Sequence, residues 1–104
     1  MNSLLLEQPI YINRLYIHIA GEMEAGIFLD HIFKKFSEHK SNAIELDIRL
    51  VYKTLYFYKF EIEKINKKLK KLPFLFIQKT SKETYCYSID LEKYETYLNK
   101  RISA

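Results

Sequence analysis

The chain has 104 residues, a formal net charge of +4, 48% hydrophobic residues and a single cysteine, Cys86. That length fits one domain (residues 1–104) with a modest core, and the composition excludes a disordered chain, an internal disulfide and a cysteine-based zinc cluster. No apolar run approaches the about 18 residues a membrane-spanning helix needs, and Leu4-Leu5-Leu6 lacks the flanks of a secretory signal, so no membrane partner and a reducing cytoplasm are expected.

In chain order, residues 1–8 read as a loose N-terminal segment and residues 8–12 as a short β-prone piece. Residues 14–20 predict a short helix, which Gly21 breaks. Residues 22–36 predict a second helix whose Ala25, Phe28, Leu29, Ile32, Phe33 and Phe36 line up at helical spacing, the pattern of a core face. Residues 37–43 are polar and predict a loop, and residues 43–46 offer a minor strand. Asp47 then predicts an N-cap, because its carboxylate can accept from amides of the next helical turn. Ile48, Val51, Tyr52 and Leu55 follow at i, i+3, i+4 and i+7, so a helix with these four on its buried face is expected.

Ile62, Ile65, Leu69 and Leu72 repeat at 0, +3, +7 and +10 and predict a further helix over residues 58–71. Pro73 ends it, since the residue before a proline is pushed out of the α region. Two β-type runs, residues 74–79 and 84–89, are joined by the polar Thr80-Ser81-Lys82-Glu83 and predict a hairpin. Alternation places Tyr85, Tyr87 and Ile89 on one face and Cys86 and Ser88 on the other, with Cys86 expected as a small buried group. Asp90 predicts the cap of a last helix over residues 91–102. Its Leu91, Tyr94, Tyr97 and Leu98 would pack on the core or against a second copy of the chain as a homodimer.

Charge is unevenly spread. Residues 59–82 hold eight lysines and two glutamates, a net of +6, while the remainder holds nine basic and eleven acidic side chains, a net of −2. Projecting the predicted helix over residues 58–71 at about 100° per residue puts Phe60, Glu63, Lys64, Lys67 and Lys71 opposite its apolar seam. Lys64, Lys67 and Lys71 then form a rail about two turns long, suited to phosphate oxygens along a groove, with Lys79 and Lys82 extending it. Residues 59–82 contain no arginine, so no bidentate guanine contact is expected and the pattern favours affinity over base reading. Glu61 and Glu63 suit the helix dipole but repel phosphate.

The order helix, turn, helix, hairpin resembles the winged helix–turn–helix family over roughly the C-terminal two-thirds of the chain. In that family the second helix often carries V-x-x-L-x-x-x-L-x-x-x-G-L-I. Ile62, Ile65 and Leu69 match its three helix anchors, and Phe74 with Leu75 matches the start of the wing. Pro73 stands where the family often has glycine; both end helices, by different means. Near the start, Gly21, Glu24 and Ala25, followed by Leu29 and Ile32, are similar to the opening of winged-helix domains in phage and plasmid replication proteins. The resemblance implies an α+β, mainly α fold: a winged helix–turn–helix with a C-terminal two-stranded wing and flanking helices.

Catalysis has little support. His18, His31 and His39 lack the i, i+3 or i, i+4 spacing of a helix-borne metal pair, and Asp30 and His31 point to different faces of one helix. No Gly-rich phosphate loop and no nucleophile in a recognisable setting occur, so no enzyme, metal or cofactor is expected. The expected function is a small DNA-binding protein, replication-associated or regulatory and of mobile-element type. It would contact double-stranded DNA through Tyr58, Lys59, Phe60, Glu63, Lys64, Lys67, Lys68, Lys71, Lys79 and Lys82. The alternative is a winged-helix adaptor that binds a replication or regulatory protein, with little or no DNA contact.

Overall fold

The computed structural model describes residues 14–103; the expectations for residues 1–8 and 8–12 lie outside them. The fold is α+β and mainly helical, with a three-stranded antiparallel sheet. Two helices come first, α1 (Arg14–Ala20) and α2 (Met23–His39). Gly21 turns between them at φ 85°, a left-handed conformation glycine adopts without strain. Gly26 lets them touch, for a Cβ there would stand 2.4 Å from the Ile17 Cα.

The predicted stripe on α2 is the heart of the core: Ala25, Phe28, Leu29 and Ile32 are fully buried, Phe36 nearly so, and Phe33 half-buried. Buried Asp30 lies among them, its carboxylate held by Lys34 at 2.8 Å. The loop expected over residues 37–43 is shorter. Helix α2 runs on through His39, helped by the Lys35–Glu38 pair at 3.3 Å, and left-handed Lys40 (φ 49°) closes it. A stripe that is already anchored carries exposed polar residues another turn at little cost, so only residues 40–42 remain as loop.

The predicted minor strand forms as β1 (Ala43–Asp47) and pairs with the hairpin. Asp47 ends it and starts α3 (Ile48–Leu55): its Oδ1 accepts from the Arg49 amide at 2.9 Å, as the capping expectation requires. The Arg49 guanidinium folds back on the same carboxylate and holds its pKa down at about 2, while the Ile48 amide donates to the Glu83 carbonyl at 2.9 Å. Ile48 and Val51 are buried and Leu55 partly so, but Tyr52 sits at the edge of the stripe and is exposed rather than buried. Tyr56 at φ 60° ends α3, and buried Phe57 wedges into the core beside Phe28.

Next comes α4 (Lys59–Leu69), slightly shorter than expected, with Tyr58 before it and Lys70 and Lys71 in the turn after it. Its seam of Ile62, Ile65 and Leu69, with Leu72 beyond, is buried. The hairpin comprises β2 (Leu75–Lys79) and β3 (Thr84–Ile89), and β3 is the central strand of the order β1-β3-β2. Tyr85, Tyr87 and Ile89 point inward as alternation predicts. Cys86 faces outward between Glu45 and Gln78 and is half-buried, not buried, because no element among the described residues packs over that register.

The last helix, α5 (Leu91–Ser103), starts with the Lys93 amide donating to Asp90 Oδ1 at 3.1 Å. Tyr94 and Tyr97 rest on fully buried Phe74, with ring centroids 4.9 and 5.2 Å away. Burial, with Tyr94 close by, lifts the Tyr16 pKa to about 12. Thus Tyr94, Tyr97 and Leu98 cover the monomer's own core, whereas Leu91 is exposed at the helix start.

Candidate nucleic-acid interface

Two contacts fix how α4 sits. On its buried side, Asn66 accepts a hydrogen bond from the Tyr87 hydroxyl at 2.9 Å, tying the helix to the central strand. At its start, the Glu61 carboxylate accepts from the Tyr58 amide at 2.9 Å, satisfying one of the amides a helix N-terminus leaves unpaired. Glu61 is therefore a capping group.

The opposite face of α4 holds Phe60, Lys64, Lys67, Lys68 and, just past the last turn, Lys71, all exposed. Ion pairing divides these lysines. Lys68 is paired with Glu22 at the start of α2, and Lys59 lies 4.0 Å from Glu83 in the hairpin loop. Among the described residues, Lys64, Lys67 and Lys71 make no ion pair. Glu63 is half-buried on the hairpin side of the helix. Burial raises the pKa of Tyr85, and the Glu63 carboxylate adds to that shift. The Lys79 ammonium lies 5.9 Å from the Tyr85 ring centroid, so Glu63, Tyr85 and Lys79 link the helix flank to the end of the hairpin. Lys82 is exposed at the hairpin tip.

That tip is ordered by its own hydroxyls. Thr80 and Ser81 contact the Thr84 hydroxyl at 2.8 and 2.6 Å, and Thr80 donates to Glu45 of β1 at 2.9 Å. Such a network restrains the loop that carries Lys82 beside α4.

Beside the lysine ridge runs a row of aromatic rings. Tyr52 is 39% exposed, Tyr56 72%, Tyr58 54% and Phe60 63%, far outside the core. Tyr52 and Tyr58 have ring centroids 5.1 Å apart, and the neighbouring Tyr58 hydroxyl is the main reason the Tyr52 pKa is raised. Phe60 continues the row, 6.0 Å from Tyr58 and within 7° of parallel, and Tyr56 meets Tyr52 edge-on. An open cleft of about 420 Å³ lies against this row, its walls including Arg49, Tyr52, Lys53, Tyr58, Lys59 and Glu83.

The expected site residues Tyr58, Lys59, Phe60, Glu63, Lys64, Lys67, Lys68 and Lys71 thus gather along one side of α4 and its approach, with Lys79 and Lys82 on the neighbouring hairpin. Sequence reasoning missed Arg49, Tyr52, Lys53 and Tyr56. Part of the signal was there: Arg49 and Lys53 are an i, i+4 pair within an eight-residue helix, spaced to share a face, whereas left-handed Tyr56 lies just past its end. The histidines stand elsewhere. His18 and His39 are exposed, and burial lowers the pKa of half-buried His31. No helix among the described residues is long and apolar enough to cross a membrane.

Comparison with family models, with curated proteins and with solved structures gives no match to this chain.

Proposed function

We propose that this chain is a winged helix–turn–helix domain that binds duplex DNA, with α4 as the helix that tracks the groove and the β2–β3 hairpin as the wing. The observation that carries the reading is the division of the lysines. An intramolecular carboxylate neutralises Lys68, and Lys59 lies within 4.0 Å of Glu83, yet Lys64, Lys67 and Lys71 stay exposed without an ion pair on one ridge. Side chains three and four apart on a helix are neighbours, so the three ammonium groups present a continuous positive edge to successive phosphates. Neutralising phosphates releases condensed counterions, which makes the affinity salt-dependent. Lysine is a point charge with no fork geometry, so the domain favours phosphate positioning over base reading. The exposed Phe60 offers an apolar contact for a thymine methyl group.

The test is duplex binding across a salt series, for wild type and for the Lys64→Ala/Lys67→Ala/Lys71→Ala variant. Each phosphate contact contributes about 0.9 to the salt slope, so the triple variant should lose about 3 units of slope on every duplex sequence. A correctly folded triple variant that binds duplex as well as wild type refutes the reading. Exposed rings at Tyr56, Tyr58 and Phe60 would then favour the second reading, an adaptor for a protein partner.

A further inference from the structure

We infer that the cleft beside α3 receives an unpaired nucleobase, so the domain prefers duplex DNA that carries a single-stranded tail over blunt duplex. The inference rests on the DNA-binding reading and adds a second subsite to it. The cleft's volume of about 420 Å³ is of the size that takes a small planar ligand rather than a helix or strand. One wall is the Tyr52–Tyr58 pair, whose rings are 36° apart with centroids 5.1 Å from each other. An exposed aromatic surface suits base stacking because every base has a π-face.

The charge around the cleft fits a nucleotide. Three cations line it, Arg49, Lys53 and Lys59, against one carboxylate, Glu83. Arg49 is occupied by Asp47, and Lys59 is only loosely held by Glu83 at 4.0 Å. Lys53 makes no ion pair among the described residues, so Lys53 and Lys59 are the groups placed to meet the backbone phosphates flanking a stacked base. The Glu83 carboxylate at the same cleft can accept from an exocyclic base amine. Duplex DNA cannot use this site, since its bases are stacked on one another and present only their edges. The cleft also adjoins the row that continues through Phe60 to the lysine ridge, so duplex on the ridge and a tail in the cleft can be bound together.

The experiment compares one duplex, blunt or carrying a short oligothymidine or oligocytidine tail, by fluorescence anisotropy. Tyrosine emission is followed in parallel, because the chain has nine tyrosines and no tryptophan to mask them. Wild type should bind a tailed duplex about tenfold more tightly than the blunt one, with quenched tyrosine emission. Tyr52→Leu should erase the tail's advantage and leave blunt-duplex affinity unchanged. Tyr52→Phe keeps the ring, so it should keep the advantage. A tail that adds nothing to wild-type affinity overturns the inference alone and leaves the cleft to a protein ligand. Wild type that binds neither blunt nor tailed duplex overturns the DNA-binding reading with it. If Tyr52→Leu loses blunt and tailed binding equally while Tyr52→Phe keeps both, the ring serves duplex binding and the subsite is refuted.

Discussion

Tyr87→Phe tests how α4 is held on the sheet. Tyr87 is fully buried in the central strand, and its hydroxyl donates to Asn66 Oδ1 at 2.9 Å. Asn66 is itself buried, and its Nδ2 finds no acceptor among the described residues. Removing the hydroxyl therefore leaves the whole Asn66 amide buried without a partner, and a stranded buried polar group costs about 1–3 kcal/mol. Asn66→Ala strands the Tyr87 hydroxyl instead, but it also removes the unpaired Nδ2 and gains helix propensity, so it should cost less. In the double variant neither partner is left wanting the other, and it should be more stable than the sum of the single losses implies, by about 1–2 kcal/mol. Urea denaturation of the four proteins measures the cycle. A loss of about 2 kcal/mol would lower the melting temperature by about 8–16 °C in a domain of this size. Single losses that add to within about 0.5 kcal/mol would show that the hydrogen bond is not what couples the helix to β3. The lysine ridge lies on the other side of α4, so on the proposed reading the folded double variant should bind duplex as wild type does.

Two further outcomes follow from local geometry. Gly26→Ala gains about 1 kcal/mol of helix propensity, but its Cβ would stand 2.4 Å from the Ile17 Cα and 2.8 Å from the Ile17 nitrogen, atoms that cannot swing away. Overpacking costs about 1–3 kcal/mol, so a net fall in unfolding free energy is expected and an unchanged or raised value would refute the close approach of α1 to α2. The Asp47 carboxyl has a folded pKa of about 2, depressed chiefly by the Arg49 side chain and then by its amide. A depressed carboxyl adds stability above its unfolded pKa of about 3.9 and loses it as pH falls toward the folded value. Between pH about 4 and about 2, then, wild type should lose stability more steeply than Asp47→Asn, which acid titration of both proteins by circular dichroism would check.

Periodic features of the fold were legible in the sequence because periodicity is what burial imposes. Ile62, Ile65, Leu69 and Leu72 are buried where 3.6-residue spacing put them, and Tyr85, Tyr87 and Ile89 where alternation did. Pairings between distant segments were not legible. Glu22 and Lys68 are 46 residues apart, and nothing local announces that one neutralises the other. Tyr52 and Leu91 stand at the margins of apolar stripes, where a small rotation of the helix decides between core and solvent; both are exposed. Asp30 is the reverse, a carboxylate carried into the core by its neighbours Phe28, Leu29 and Ile32 and made tolerable by Lys34. Cys86 depended on whether anything covers the outer face of the sheet, which no residue in the strand can reveal.

Counting lysines would have given residues 59–82 a uniform positive face; the ion pairs give it a direction. Lys68 turns toward α2 and is met by Glu22, in a groove that Glu24, Glu61 and the ridge's own Lys64 also line, so three carboxylates offset two lysines on that flank. On the hairpin flank Glu63 stands beside Tyr85, with Lys79 over the far side of the same ring system. Between the two flanks, Lys64, Lys67 and Lys71 are left with no carboxylate partner among the described residues. The carboxylates on either side thus confine the attractive potential to one ridge. If the chain binds duplex DNA as proposed, that confinement would set the path of the backbone along α4, which total charge alone would leave open.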